Sequence, residues 1–248
     1  MAQSYVQANI ARIRSVPWSG WNALAAFLLP WIILPLVVYV VVLGLAPHWA
    51  TAAWFTQAFT SANPDPRASF TLVVLDAVGS FAAVGYFLRR HHAGVRDLGI
   101  RKFSVGRALL LLVIMLVSFS FLIGAVYALV SVLDPSFNAS QPQTTEFSGA
   151  ASSSLSLWAL VIIPPFIEET VFRGFMFPAF SKRFGVVIGA ILTSVLFGFA
   201  HLQGNVSVYT FVLSLLLCFL YVRLGSILPG IGLHMLNNYI AYIAVHQK

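Results

Sequence analysis

Residues 108–133 read ALLLLVIMLVSFSFLIGAVYALVSVL, a run of 26 residues without a charged side chain. A helix of this length rises about 39 Å, and the hydrocarbon core of a bilayer is about 30 Å thick. The run is too long and too uniformly apolar for the alternating strands of a membrane barrel, so we expect a helix. This segment therefore predicts a membrane-spanning protein.

The composition of the whole chain agrees with that prediction. Of its 248 residues, 59% are apolar and only 8% are charged, against roughly 25% charged residues in a soluble domain. The mean hydropathy is +0.89. These values exclude a disordered chain and a water-soluble globule. The net charge of +7 is typical of the cationic loops of a multi-pass membrane protein rather than of a nucleic-acid binder. The single cysteine, Cys218, excludes a disulfide framework and a cysteine-based zinc site.

Apolar runs of near-spanning length recur along the chain and predict an all-α, polytopic transmembrane helix bundle with about seven spans. The runs lie at 22–46, 68–88, 108–133, 155–181, 184–202, 206–222 and 227–246. The residues before the first run mix arginine with apolar side chains and predict either a short interfacial helix or a frayed polar tail. We divide the chain into an N-terminal cytoplasmic or interfacial segment (1–21), three N-terminal spans with a basic loop (22–154) and a C-terminal catalytic helix bundle (155–248).

The distribution of cationic residues predicts the orientation of the chain. If the N-terminus faces the cytoplasm, eleven Lys and Arg side chains lie on that side and only Arg67 and Lys248 lie outside. This excess satisfies the positive-inside rule. The eleven are Arg12, Arg14, Arg89, Arg90, Arg96, Arg101, Lys102, Arg107, Lys182, Arg183 and Arg223.

Polar clusters interrupt three of the apolar runs, although the chain has few charges. The fourth run carries Glu168, Glu169 and Arg173, the fifth ends at His201, and the seventh carries His234 and Asn238. Each ionisable group at the centre of a bilayer costs roughly 2.5–3.5 kcal/mol on insertion scales, so such groups are functional candidates.

The spacing of the acids in the fourth run separates their roles. Glu169 and Arg173 stand at i and i+4, with the acid N-terminal to the base, which predicts a structural ion pair. Glu168 points about 100° away from Glu169 and has no partner in its own helix. A buried carboxylate without a partner is a competent base near neutral pH. The preceding Pro164 and Pro165 lack amide protons and predict a break or kink that places the glutamates near a half-helix N-terminus.

The histidine and amide of the seventh run share one helical face, because His234 and Asn238 are also i and i+4. Such a pair can donate two hydrogen bonds to a developing oxyanion. Asn237 faces another way and is predicted to link helices, and Phe197 is predicted to serve packing.

Structural interpretations of these polar groups remain open. Glu168 is alternatively a second structural acid bonded to a neighbouring helix, and His201 an interfacial histidine at the end of a span. His234 and Asn238 are alternatively hydrogen-bond links between helices. Asp76, an isolated acid in the second run, is predicted to bond to a hydroxyl or backbone group, with a functional role as the alternative.

The motifs EExxxR at 168–173, FxxxH at 197–201 and HxxxN at 234–238 together resemble a known family. It is the CAAX-protease and bacteriocin-processing family (CPBP, also called Abi) of intramembrane endopeptidases. The resemblance covers roughly residues 155–245, and the first three spans contribute nothing to it.

The resemblance implies hydrolysis of a peptide bond within the membrane by an activated water. Glu168 matches the catalytic carboxylate and His201 the histidine that helps to hold the water. The groups that match oxyanion stabilisers are His234 and Asn238, and those that match structural support are Glu169 and Arg173.

A metal ion is left as an alternative. The family is often described as metalloproteases, and Glu168, His201 and His234 offer a set of ligand types that suits zinc. The chain has no His-Glu-x-x-His element, so the usual zinc-peptidase helix is absent. We favour metal-free acid–base catalysis, with zinc as the other prediction.

The span limits themselves pose a geometric conflict. At 1.5 Å per residue they place Glu168 about 20 Å, His201 about 25 Å and His234 only about 10 Å from the cytoplasmic face. One site cannot hold all three at these depths. We therefore expect residues 226–230 to dip inward as a non-helical start to the seventh span, or the limits of the fifth or sixth span to be wrong.

The leading hypothesis is an intramembrane endopeptidase whose partners are membrane lipid and a peptide or protein substrate. A proton-coupled transporter, with the same groups as a relay, and a non-enzymatic scaffold are the alternatives. The resemblance and the compact chain suggest a multi-pass protein of the bacterial plasma membrane, with an internal eukaryotic membrane as the alternative.

Overall fold

The computed structural model describes residues 2–37, 40, 66–137, 153–201 and 204–246. Over these residues the chain forms helices and no strands, which confirms the all-α prediction. We number the helices in chain order. They are α1 (Ala2–Ile13), α2 (Gly20–Val37), α3 (Pro66–Arg90), α4 (Val105–Leu133), α5 (residues 153–184), α6 (Val186–Phe199), α7 (Gly204–Leu224) and α8 (Leu228–His246).

Four helices in the described ranges are long and apolar enough to cross a membrane: α2, residues 70–90 of α3, α4 and α7. Helix α6 is apolar but has only 14 residues. The end of the predicted run 22–46, and the connections around it, lie outside the described residues. The total of about seven spans stays a prediction.

Helix α5 is the centre of the bundle, and every residue from 167 to 181 is buried. Trp18, just before α2, stacks on Phe175 of α5 with ring centroids 4.5 Å apart. The same indole donates its N–H to the Phe175 carbonyl at 2.8 Å. The polar residues of α5 between positions 167 and 181 therefore face protein, whereas most of α4 is exposed on the outside of the bundle.

The two prolines of α5 do not break it. The chain stays helical on both sides of Pro164 and Pro165, but the helix widens into π turns at Leu157–Ile162 and Glu169–Met176. A π turn pairs each N–H with a carbonyl five residues back, and such turns are common at functional sites. The predicted half-helix N-terminus at Glu168 is therefore wrong. The wider turns accommodate the missing amide protons instead.

The N-terminal segment forms a helix, as one of the two interpretations predicted. Helix α1 packs on the end of α7: the Tyr5 hydroxyl donates to the Leu224 carbonyl at 2.8 Å, and the Asn9 side-chain amide to the Val222 carbonyl at 3.1 Å.

Glu168 Oε2 and His234 Nε2 lie 3.6 Å apart, so the different depths estimated for these two residues are wrong. The connection between α7 and α8 is buried. Ser226 and Ile227 are almost fully buried. The Ser226 hydroxyl donates to the Arg101 carbonyl at 2.8 Å, and the Ile227 amide donates to the Gly99 carbonyl at 3.0 Å. This link lies inside the protein rather than at its surface. Helix α8 begins at Leu228, so the non-helical start expected at 226–230 is limited to residues 226 and 227.

Candidate active site

Glu169 is the polar centre of the site, and its side chain is only 1% exposed. Its Oε1 lies 2.9 Å from Arg173 Nη1 and 3.1 Å from His234 Nδ1. The ion pair predicted from the i, i+4 spacing is therefore present. Glu169 also connects α5 to α8, so it orients a histidine in addition to compensating the charge of Arg173.

The hydrogen bond to Glu169 fixes how His234 is presented. A carboxylate only accepts, so Nδ1 of the imidazole carries the proton and donates it. The other ring nitrogen, Nε2, then faces Glu168, whose Oε2 is 3.6 Å away. An acidic partner on one ring nitrogen is a common way to orient a histidine whose other nitrogen acts in a site.

Glu168 is buried, and its Oε2 accepts no hydrogen bond from the part of the protein that the structure describes. The 3.6 Å separation from His234 is longer than a hydrogen bond. Burial of an unsatisfied carboxylate oxygen is costly. Glu168 thus has the free acceptor that a general base requires.

Phe197 of α6 joins the histidines, although the sequence analysis predicts only packing for it. Its ring lies 4.3 Å below the Arg173 guanidinium carbon, and its centroid is 5.0 Å from that of His201 and 5.8 Å from that of His234. A cation over an aromatic face is attracted by the ring quadrupole. The i, i+4 spacing of Phe197 and His201 on one helical face was the signal for this contact.

His201 lies at the end of α6, where its Nδ1 pairs with the Phe197 carbonyl at 2.8 Å. That carbonyl only accepts, so Nδ1 carries the proton and Nε2 is available for another partner. The side chain is partly exposed. His201 belongs to the site through its edge-on contact with the Phe197 ring.

Asn238 lies one turn beyond His234 on α8 and connects this helix to α5. Its side-chain amide donates to the Leu160 carbonyl at 2.8 Å. In a continuous helix that carbonyl accepts from residue 164 or 165, but both are proline and neither has an N–H. Asn238 therefore satisfies a carbonyl that the prolines leave without its usual partner.

Gly230 permits the close approach of α8 to the acids. A Cβ at this position would lie 3.2 Å from Glu169 Oε2 and 3.5 Å from a Leu217 methyl. Any larger residue crowds the carboxylate that orients His234.

Asp76 of α3 has the hydroxyl partner that the sequence predicts, because Ser80 Oγ donates to its Oδ1 at 3.4 Å. Asp76 lines an apolar cavity of about 270 Å³ between α2 and α3, together with residues such as Trp31 and Leu34.

The residues suggested as zinc ligands do not meet as a set. Glu168 and His234 are neighbours, but no group of three ligand-type side chains placed to hold a metal ion occurs in the described ranges. The Phe197 ring lies between His201 and His234, with its centroid 5.0 Å from the first imidazole and 5.8 Å from the second. We therefore derive no chemical step through a metal.

Comparison with known proteins adds independent support. Residues 150–240 match the family described as "Type II CAAX prenyl endopeptidase Rce1-like". The matched residues are thus similar to the CAAX-protease family that the three motifs resemble. The match begins and ends within a few residues of the resemblance at 155–245 and includes all three CPBP motifs. It supports an intramembrane endopeptidase in general and a location in a membrane.

One curated relative also matches the chain. An "Uncharacterized 24.3 kDa protein" of Escherichia coli is 35% identical over 86 residues, which is 33% of this chain and 40% of that protein. The match thus spans well under half the length of either chain. No solved structure matches the chain.

Proposed function

We propose that the protein hydrolyses a peptide bond at the membrane by metal-free acid–base catalysis, with Glu168 as the general base. The observation that carries the proposal is the buried, unbonded Oε2 of Glu168 facing Nε2 of His234. Glu169 and Arg173 support this arrangement by holding the opposite side of the imidazole.

In the first step Glu168 removes a proton from a water molecule, and the water oxygen attacks the carbonyl carbon of the substrate. His201 Nε2 helps to hold that water. The carbonyl oxygen becomes an oxyanion, which accepts hydrogen bonds from His234 and Asn238. His234 has a carboxylate beside each ring nitrogen. His234 donates from Nε2 in its doubly protonated form, in which both ring nitrogens are donors.

In the second step the carbon–nitrogen bond breaks. The carboxylic acid of Glu168 returns its proton to the leaving amine, so the residue is regenerated as a carboxylate. One water is consumed, and the products are a new carboxyl end and a new amino end.

The substrate and the membrane are part of the proposal. The description of the matched family names CAAX prenyl endopeptidases, so a farnesylated CAAX peptide is the first probe. We also propose a bacterial plasma membrane with the N-terminus of the chain in the cytoplasm, because the excess of cationic residues on that side satisfies the positive-inside rule.

The test uses the full chain reconstituted in vesicles and a fluorescence-quenched farnesylated CAAX peptide. Glu168→Gln keeps the size of the side chain and removes the base, so cleavage should fall at least about 1,000-fold, on the order expected for loss of a group that acts in both steps. Asp134→Asn, an equivalent change at an exposed acid beyond α4, should cleave like the wild type. Unchanged cleavage by Glu168→Gln contradicts the assigned base.

A further inference from the structure

A chain of three hydrogen bonds runs from α7 through α8 to α5. The Tyr209 hydroxyl donates to Asn237 Oδ1. Asn237 Nδ2 donates to Asn238 Oδ1 at 3.3 Å, and Asn238 Nδ2 donates to the Leu160 carbonyl at 2.8 Å. We call these three bonds the amide relay. Two of its members, Tyr209 and Asn237, have no role in the mechanism above.

The direction of every bond in the amide relay is set at the Leu160 end. A backbone carbonyl only accepts, so Asn238 must present its NH2 group to Leu160. Its oxygen then faces Asn237, which must present its own NH2 group. The oxygen of Asn237 is left for Tyr209, whose hydroxyl therefore donates. A reversed amide at either asparagine would place like groups against each other.

The amide relay leaves one donor of Asn238 unused. A side-chain amide nitrogen carries two protons, and only one is needed for Leu160. The two bonds at Leu160 and Asn237 fix the plane of the amide, and this plane determines where the second N–H points. A donor to an oxyanion must be aimed before the reaction begins, because its effect depends on prior orientation.

Tyr209, the first donor of the amide relay, is held in place by packing. Its ring packs edge-on against Phe119 of α4, with centroids 4.8 Å apart and an interplanar angle of 84°. Phe119 is buried. Helix α4 lies outside the residues that match the family, so the support for Tyr209 comes from a part of the chain that the CPBP motifs do not include.

We infer that Tyr209 and Asn237 are positioning residues that hold the Asn238 amide so that its second N–H meets the oxyanion. This inference rests on the proposed function. Without the Tyr209 hydroxyl, nothing in the amide relay keeps the Asn237 oxygen on its present side. Rotation of Asn237 would then remove the donor to Asn238 Oδ1.

The kinetic signature follows from when the oxyanion exists. The contact forms in the transition state and not in the substrate complex, so its loss lowers kcat and leaves KM unchanged. Removal of a whole oxyanion donor costs about 100- to 1,000-fold in kcat. Disorder of that donor should cost less, so we expect Tyr209→Phe to lower kcat about 10- to 100-fold.

The experiment measures kcat and KM with the farnesylated CAAX peptide for Tyr209→Phe, Asn238→Ala and the double variant. Tyr239→Phe, which removes a hydroxyl from an exposed tyrosine of α8, is the matched control and should cleave like the wild type. Because Tyr209 acts through Asn238, its substitution should have no further effect on kcat once Asn238 is alanine. A structural role would instead reduce activity by the same factor in both backgrounds, and that result overturns the inference.

Failure of the inference is separable from failure of the proposed function. An inactive Glu168→Gln together with an unaffected Tyr209→Phe refutes only the positioning role of Tyr209 and Asn237. A fully active Glu168→Gln refutes the proposed mechanism and the inference with it. A readout without substrate is the side-chain 15N–H signal of Asn238, identified by its loss in Asn238→Asp. This signal should shift in Tyr209→Phe, and an unchanged signal contradicts the amide relay.

Discussion

Removal of Arg173 alone should destabilise the protein more than removal of the whole ion pair. Arg173 and Glu169 are 2.9 Å apart, and their side chains are 0% and 1% exposed. Arg173→Met therefore leaves a buried carboxylate without its cation, which typically costs about 3–5 kcal/mol of unfolding free energy. The contact with the Phe197 ring adds about 0.5–2 kcal/mol to the loss.

The double variant Glu169→Gln/Arg173→Met removes the unpaired charge, while the introduced glutamine side chain still offers an oxygen to His234. Replacing both members of a buried pair is often close to neutral, so most of the lost stability should return. In a chain of this size, 1 kcal/mol corresponds to about 2–4 °C in Tm. We expect Arg173→Met to lower Tm by about 7–28 °C and the double variant by clearly less.

Thermal unfolding in a mild detergent, followed by circular dichroism, measures both changes. Glu169→Gln alone provides the third corner of the mutant cycle. If the double variant is as unstable as Arg173→Met, the burial of an unpaired charge is not the source of the loss, and the electrostatic reasoning is refuted.

Two further predictions concern packing and orientation. Gly230→Ala should lower both Tm and activity, because the added methyl group crowds Glu169. A Cβ at Gly232 meets no atom within 4 Å, so Gly232→Ala should be tolerated. Equal effects of the two substitutions on Tm and cleavage would contradict the crowding argument. In intact cells, a membrane-impermeant maleimide should label Ser136→Cys, at a position predicted to lie outside, but not Gly94→Cys, at a position predicted to be cytoplasmic. The native Cys218 is buried and should not react. Labelling of Gly94→Cys alone would mean that the chain has the opposite topology.

The sequence was sufficient for the helical class and for the ion pair, because both depend on local spacing. The run at 108–133 could only be a helix in a membrane, and α4 occupies Val105–Leu133. Glu169 and Arg173 meet because residues four apart share a helical face. The contact between Glu169 and His234 required the tertiary arrangement, since 65 residues separate the two.

The prolines show why the local rules were insufficient elsewhere. Pro164 and Pro165 lack amide protons, and a break is the usual consequence in an isolated helix. Here π turns on either side keep the chain helical, and Asn238 satisfies the Leu160 carbonyl. The compensating group lies 78 residues away in the chain, where no local pattern reveals it. The different depths estimated for Glu168 and His234 were wrong for a similar reason, because their contact depends on tertiary packing that the length of an apolar run does not give.

The burial of residues 167–181 also has a consequence for biogenesis. Three ionisable side chains within six residues cost roughly 7.5–10.5 kcal/mol to insert on the scale used for single segments. Helix α5 on its own should therefore insert inefficiently into the membrane. Residues that pack against α5, such as Trp18 and Phe27, precede it in the chain and are synthesised earlier. We therefore expect the N-terminal helices to assist the membrane insertion of α5 by packing against it.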